Sequence, residues 1–368
     1  MSGGVDSSLS AALLKEQGYD VTGVYMKNWT QDLPGMRCPW ADDLADAKRV
    51  AVQLGIDFKV FDFENEYKHK VVDYMIEEYK LGRTPNPDIM CNQEVKFKLF
   101  LEAALEDGAD MIATGHYARV DRPNDLPSAD LAPLERQRTT REAEGMVVSG
   151  GVLRRAKDAN KDQTYFLYRV TGEALQKTIF PLGGYTKPEV REMAKARGLF
   201  TAGKKDSQGI CFVGKIGIRE FLSQYVEQTP GKIIDKKTGK VLGMHDGAIF
   251  YTLGQRHGLD IGGGLPYYVV GKDMGKNEVY VTTDLQDGTL WKEEVRLLSV
   301  HWINKTPNDG NYKIRVRHRA PLVDAQLKLD GEGEAVLTLG EAERAITAGQ
   351  SVVVYDGDVC LGGGIVAA

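Results

Sequence analysis

The hydrophobic pattern of this 368-residue chain changes period once, and that single change limits the architectures open to it. In the first part, helical spacings alternate with short apolar runs. Leu9, Ala11, Ala12, Leu13 and Leu14 suit a helix ending near Gly18, and helix signals return over Asp42 to Leu54, Tyr67 to Lys80 and Gln93 to Glu106. Val21 to Met26 suits a short buried strand, and Phe58 to Phe63 and Met111 to Thr114 suit further strands. Such alternation gives a parallel sheet covered on both faces, with ligands at the carboxyl ends of strands, where Met26 and Gly115 fall. Further helices are expected over Asp162 to Val170, Pro188 to Arg197 and Ile218 to Val226. Beyond about residue 230 the spacing becomes two: Tyr267 to Gly271, Val279 to Thr283, Gln326 to Leu329, Ala335 to Leu339 and Ser351 to Tyr355 read as strands. The fold class is therefore α/β, a doubly wound parallel sheet followed by a small central domain and a C-terminal antiparallel β-barrel. Domain limits are expected at 1–215, 216–287 and 288–368, with an exposed insertion at 121–150 marked by Pro123, Pro127 and Pro133.

Ser2-Gly3-Gly4-Val5-Asp6-Ser7-Ser8 runs directly into the first helix. Glycines let backbone N–H groups face an anion, and the helix N-terminus adds about half a positive charge. A Walker loop would end in Gly-Lys-Ser/Thr; Asp and Ser stand there instead, which implies a different cleavage of the nucleotide. Taken alone, the glycine pair reads equally well as a tail beside a serine-capped helix. No strand precedes Ser2, whereas nucleotide loops in doubly wound folds follow one.

Charge is uneven along the chain. Residues 1–120 carry 13 Lys/Arg against 20 Asp/Glu, a net of −7, and the remainder carries 34 against 32, a net of +2. Any basic surface for nucleic acid must therefore be local. No run approaches the roughly 18 consecutive apolar residues of a membrane span, and no signal or transit segment is visible, so a soluble cytoplasmic protein with no membrane partner is expected. Cys38, Cys91, Cys211 and Cys360 stand far apart with no C-x-x-C, which suggests neither a zinc ribbon nor a disulfide-stapled scaffold.

Two of these thiols lie in polar settings. Asn86-Pro87-Asp88-Ile89-Met90-Cys91-Asn92 reads as a loop stiffened by Pro85 and Pro87, with Asn92 capping a helix from Gln93. That helix would hold its positive end beside the Cys91 sulfur and favour thiolate, with Asp88 close enough to move protons. The alternative is an inert buried cysteine beside a turn-forming Asp. Cys211 lies in Lys204-Lys205-Asp206-Ser207-Gln208-Gly209-Ile210-Cys211, a glycine-containing loop with two lysines; Cys38 and Cys360 read as structural. Were Tyr312 to Arg319 a strand, Lys313, Arg315, Arg317 and Arg319 would share one face, either a phosphate-tracking stripe or a solvated charged surface. His116 follows a strand end, where it is either a hydrogen-bonding site residue or a satisfied structural group. No His/Cys/Asp cluster has metal-ligand spacing.

Together, SGGVDSS, MKNW at 26–29, GRTPNPDIMCN at 82–92, TGHYARV at 114–120, NKDQTYFLY at 160–168, DSQGICFVG at 206–214, YTLGQRHGL at 251–259 and CLGGGI at 360–365 resemble the tRNA-specific 2-thiouridylase family. The resemblance covers nearly the whole chain. It implies an ATP-pyrophosphatase domain over 1–215 and thiolation of the wobble uridine by adenylation of its C2 oxygen and sulfur transfer from a cysteine persulfide. It assigns Ser2, Gly3, Gly4, Val5, Asp6, Ser7, Met26 and Gly115 to ATP, with Mg as counter-ion and no tightly bound metal. Cys211 becomes the persulfide carrier, Cys91 the partner thiol that can form a disulfide with it, and Asp88 the acid/base group. Asn86, Pro87 and Asp88 would meet the flipped base, while His116, Lys161, Asp162, Gln163, Arg317, His318 and Gln350 would touch tRNA. At position 318 the family often carries an aromatic. The implied partners are tRNAs for Glu, Gln and Lys and a persulfide donor protein. Readings from other classes are an ATP-pyrophosphatase ligase with a small-molecule substrate, an RNA-binding protein with an impaired ATP site, and a dithiol oxidoreductase. The family's leading strand would stand before Ser2, so adding an apolar strand upstream is expected to raise both melting temperature and ATP affinity; no change in either would count against this view.

Overall fold

The computed structural model describes residues 1–32, 38–122, 150–205, 217–262 and 264–368. The expected 121–150 insertion lies outside them except at its ends, and Cys211 lies outside them altogether. The first helix, α1 (Val5–Glu16), has Gly4 at its N-cap in an extended conformation, and the chain leaves it through Gly18 at φ +88°. β1 (Thr22–Lys27) follows, then α2 (Trp40–Leu54), which ends on Gly55 in the left-handed region, then β2 (Asp57–Asp62). β1 and β2 pair in parallel, Thr22 opposite Asp57 and Lys27 opposite Asp62.

Two longer helical segments carry π-helical stretches. One runs over residues 64–80 with Lys68–Asp73 π-helical, the other over residues 87–106 with Cys91–Leu99 π-helical. The second corrects the sequence expectation: the helix begins at Pro87, so Cys91 lies inside it and Asn92 is not its cap. Asn86 is the cap, its Oδ1 accepting the Asp88 and Ile89 N–H groups at 3.1 and 3.2 Å. Pro87 does not break the helix because a proline in the first turn forfeits an N–H that has no partner there anyway.

β3 (Ile112–Ala113) leads to an antiparallel pair, β4 (Ala118–Asp121) and β5 (Val152–Arg155). β6 (Thr178–Ile179) then pairs in parallel with β3. A central four-stranded sheet has the order β8 (Val241–His245), β7 (Gly231–Asp235), β10 (Glu278–Thr282), β9 (Tyr268–Asp273), and its β7–β10 pair is parallel rather than antiparallel as the sequence suggested. The chain crosses from one hairpin to the other through 246–267, which lets the second hairpin enter alongside the first.

The last six strands close a barrel: β11 (Trp291–Trp302), β14 (Ala335–Arg344), β13 (Val323–Leu329), β12 (Gly310–Arg315), β15 (Ser351–Asp356), β16 (Val359–Val366), and back to β11. Alternating residues such as Val295, Leu297, Ile314, Ala325, Leu327, Leu337 and Val352 fill it. β16 also pairs with β5 where Val359 meets Arg154, so the β4–β5 pair of the first domain extends the barrel sheet. Arg154 and Arg119 both bind Asp358 there, at 2.6 and 2.8 Å.

Apolar cores cross the expected domain limits. One joins Trp29, Tyr67, Cys91 and Val95 to Phe221, Leu222 and the central-sheet residues Val269, Val279 and Val281. Another joins Ile89, Phe97, Leu153, Tyr165 and Tyr168 to the barrel residues Val353, Tyr355 and Cys360. The helix over 87–106 contributes to both. Among the described residues no helix is long and apolar enough to cross a membrane.

Gly362, Gly363 and Gly364 explain how β16 serves two barrel neighbours. A Cβ at Gly362 would strike the His301 carbonyl, one at Gly363 the Val352 carbonyl, and one at Gly364 the Leu297 side chain. Gly363→Ala is expected to destabilise the protein by about 1–3 kcal/mol through overpacking. Gly243→Ala, where nothing lies within 4 Å, is the control expected to stay within about 0.5 kcal/mol; thermal and urea unfolding of both variants check this.

Candidate active site

The loop ahead of α1 is held by its own hydroxyls and by its neighbours. Ser2 N–H donates to Ser7 Oγ at 3.1 Å, the two serine hydroxyls lie 3.2 Å apart, and Ser8 Oγ donates to the Gly4 carbonyl at 2.8 Å. Gly3 takes φ +69°, and a Cβ there would lie 2.6 Å from the Asp43 carbonyl. A Cβ on Gly115 would come within 3.0 Å of Asp6 and Ser7, so only glycine lets the end of the β3 segment close on the loop. Met1 joins the loop to the sheet, its buried ammonium donating to the Val24 carbonyl, and burial pushes that amine down to about 5.

Two lysines from distant sequence reach this loop. Lys187 Nζ binds both oxygens of Asp6 at 2.8 Å, and the Tyr117 hydroxyl donates to Asp6 Oδ1 at 2.8 Å. Lys204 Nζ donates to the Gly3 carbonyl at 3.1 Å and pairs with Asp43 at 2.9 Å and Asp46 at 2.8 Å. Burial opposes the Lys204 charge, but the two carboxylates outweigh it and raise the pKa. The Gly3–Gly4 turn at the head of a 12-residue helix offers backbone N–H groups to phosphate oxygens, with two ammonium groups at its rim that Asp6, Asp43 and Asp46 hold in place. Beside the strand end at Met26, Asn28 Oδ1 is buried and has no partner among the described residues, an acceptor suited to an adenine amino group. Among the described residues no group of three or more His, Cys, Asp or Glu is arranged to hold a metal ion.

The segment before the helix over 87–106 is wedged between the other two domains. Gly82, at φ +77°, lies against Met274 of the central domain; Thr84 N–H donates to the Ala348 carbonyl of the barrel at 2.9 Å; a Cβ on Gly349 would lie 2.8 Å from Arg83 and Thr84. Asn86 and Asp88 are half-buried and Pro87 is buried. Cys91 has no exposed surface and packs in the cluster shared with the central domain, so the thiol expected beside a helix's positive end is instead a buried thiol within the helix. Asn92, read as a cap, instead donates through Nδ2 to the Phe166 carbonyl at 2.9 Å.

The short helix Thr164–Leu167 gathers the remaining residues of interest. Gln163, just before it, exchanges two hydrogen bonds with the Tyr117 backbone, each 2.9 Å. The Tyr165 hydroxyl donates to the Ser351 carbonyl at 2.9 Å, the Tyr168 hydroxyl lies 3.1 Å from Ser351 Oγ, and Gln350 precedes that serine with its Oε1 accepting Thr347 N–H. The His318 ring stands 4.4 Å from the Phe166 ring and 6.4 Å from Tyr165. Asn86 to Asp88, Lys161, Gln163, Arg317, His318 and Gln350 are therefore brought to one region, whereas Asp162, expected to touch tRNA, is buried at 1% exposure against Arg315. His116 is set back from it, buried between Phe97 and Phe180 with Nδ1 2.8 Å from the Thr114 hydroxyl; burial, then the Lys96 charge, hold it well below the usual imidazole range.

The expected basic stripe does not form. β12 ends at Arg315; Lys313 pairs with Asp324 at 2.7 Å, Arg315 is buried against Asp162 at 2.7 Å, Arg317 donates to the Arg344 carbonyl, and Arg319 sits at φ +64° in the following turn. The turn ends the alternation that would have aligned them: Arg315 is buried, and Lys313, Arg317 and Arg319 remain exposed without sharing one strand face. Sequence reasoning also passed over Tyr117, Lys187 and Lys204 as loop partners. Lys187 carried a signal, because a cation in the first turn of a helix opposes the macrodipole and calls for another cause.

Residues 1–215 match the family described as tRNA methyl transferase HUP domain, residues 219–283 its PRC-barrel domain, and residues 292–366 the aminomethyltransferase beta-barrel domain. Fold and site thus define a HUP-domain protein that carries two further β modules. Across its full length the chain is 45% identical over 372 residues to the tRNA-specific 2-thiouridylase MnmA of Bacillus subtilis, covering 93% of that protein. The protein of the same name from Listeria monocytogenes serotype 4b is 46% identical over 371 residues, and that from Geobacillus thermodenitrificans 44% over 369, each covering all of this chain and 93% of the relative. The chain belongs to the tRNA-specific 2-thiouridylase family.

Burial, and then the nearby Arg319 and Arg315 charges, lower His318 from 6.5 to about 4. The unfolded chain therefore binds a proton between those values that the folded chain refuses, so this contribution is present above pH 6.5 and lost as pH falls through the window. His318→Phe keeps a ring against Phe166 and removes the linkage. Its melting temperature is expected to fall less than the parent's between pH 7 and pH 4.5; an equal fall in both would show that His318 does not contribute.

Proposed function

We propose that this protein replaces the C2 oxygen of the wobble uridine of a tRNA with sulfur, using ATP. The observation that carries the reading is the gathering of Asn86 to Asp88, Lys161, Gln163, Arg317, His318 and Gln350 around the helix Thr164–Leu167, one Tyr117–Gln163 clamp away from the glycine loop. Family membership and identity near 45% over the full length support it independently.

The chemistry asks for these parts. A uracil C2 carbonyl is a poor electrophile with a poor leaving group, so its oxygen is first joined to the α-phosphorus of ATP and diphosphate departs. The loop N–H groups of Gly3 to Ser7, with Lys187 and Lys204, hold the departing β,γ-phosphates where a Walker lysine is absent. The terminal sulfur of a Cys211 persulfide then adds to C2, AMP leaves, and the Cys91 thiol attacks Cys211 Sγ. That breaks the persulfide S–S bond, leaves sulfur on C2, and forms a Cys91–Cys211 disulfide that an external thiol reduces. Asp88, one turn from Cys91 on the same helix, is assigned the proton transfers.

Cys211 lies outside the described residues, but the chain on either side of it supports the pairing. Lys204 holds the approach to the glycine loop, and Phe221 and Leu222, on the far side, pack in the same apolar cluster as Cys91. A base in an anticodon loop must leave its stack to reach such a site.

The test is mass spectrometry of tRNA for Glu, Gln or Lys after incubation with protein, ATP and a persulfide donor. 2-Thiouridine is expected with the parent protein and is expected to be absent with Cys211→Ser and with Cys91→Ser. Diphosphate release without tRNA would favour a small-molecule ligase; thiol exchange that survives Asp6→Ala, in place of thiolation, would favour an oxidoreductase.

A further inference from the structure

We propose that the buried Asp162–Arg315 pair fixes the spacing between the nucleotide loop and the turn 316–319 of the barrel, making both residues positioning residues for sulfur transfer. This rests on the thiolation reading above.

Asp162 is 1% exposed and both its oxygens are engaged. Oδ1 accepts the Ala156 N–H at 3.2 Å and the Thr164 hydroxyl at 3.0 Å; Oδ2 takes Arg315 Nη1 at 2.7 Å, with Arg155 Nε 3.6 Å away. A carboxylate so surrounded acts on RNA only through the chain it holds. Arg315 is 4% exposed and lies over the Tyr355 ring at 5.5 Å, while the Tyr355 hydroxyl is 3.2 Å from Thr164 Oγ1. As the last residue of β12, Arg315 determines where the chain bearing Arg317 and His318 leaves the barrel.

On the other side, Gln163 follows Asp162 directly and clamps the Tyr117 backbone in both directions, and the Tyr117 hydroxyl binds Asp6 in the glycine loop. Arg315, Asp162, Gln163, Tyr117 and Asp6 thus form an unbroken path of direct contacts from the RNA-facing turn to the nucleotide loop. An apolar pair would fill this joint with comparable stability, since desolvation offsets most of the attraction between buried ions. What a directional ion pair adds is a single register, and displacements near 1 Å at a reacting centre cost about a hundredfold in rate.

The experiment compares the parent with Asp162→Asn/Arg315→Met, which removes both charges together, and with Tyr117→Phe, which removes only the hydroxyl bond to Asp6. Melting temperature, equilibrium affinities for ATP and tRNA, and kcat for tRNA-dependent AMP release are measured. The double variant is expected to fold and to bind tRNA and ATP within about threefold of the parent, with kcat lowered at least about tenfold. Tyr117→Phe is expected to lower kcat similarly, and the triple variant to fall no further, because changes on one path are not additive. A folded double variant with kcat within twofold of the parent, a loss of tRNA affinity matching the loss of kcat, or additive losses in the triple variant would each overturn the proposal. Should the double variant not fold, Tyr117→Phe decides: parental kcat overturns the proposal and a tenfold loss upholds it. A parent that releases no AMP with any tRNA removes the thiolation reading and the proposal with it, whereas an active double variant removes the proposal alone.

Discussion

A carboxylate with almost no exposed surface, Asp162, ties the parallel-sheet domain to the barrel through its 2.7 Å ion pair with Arg315. Removing its partner Arg315 alone would strand a buried charge, a change that typically costs about 3–5 kcal/mol. Around the pair, Thr164, Tyr165, Tyr168, Ser351 and Tyr355 satisfy one another's hydroxyls across the joint, while Leu153, Leu167, Val353 and Cys360 exclude water from it. Burial pushes the Cys360 thiol far up, as expected of a sulfur that serves packing.

The helix over 87–106 gives the same result from the other side of the site. Ile89 and Phe97 face the cluster shared with the barrel, whereas Cys91 and Val95 face the one shared with the central domain. One helix is thereby fixed by all three parts of the chain, and Asn86 and Asp88, in its first turn, inherit that rigidity. Cys91 opens its π-helical stretch, a backbone form that is rare and found frequently at functional sites.

The sequence was most legible where periodicity ran long. Strands β1, β2 and β3, the helices over residues 5–16 and 40–54, and the barrel strands β13, β14 and β15 follow from alternation and length alone. It was least legible where one residue serves two ends. Pro87 was read as a loop stiffener although a proline in a helix's first turn marks a start, and that slip moved Cys91 from a helix interior to a helix end. The stripe from Lys313 to Arg319 failed because the partner of Arg315, Asp162, stands 153 residues earlier, a distance no local pattern reports. Tyr117 lies within TGHYARV, but its hydroxyl bond to Asp6 exists only once the fold has brought together two residues 111 positions apart.

The pairing of β5 with β16 carries a consequence for how this architecture can be taken apart. A barrel severed ahead of β11 would lose the strand lying beside Val359, together with the arginines that bind Asp358. It would present a bare stretch of backbone donors and acceptors to any chain nearby, the kind of margin that seeds self-association. The smallest transferable unit of this barrel is therefore discontinuous in sequence: it includes a ribbon borrowed from residues 118–155 of the first domain.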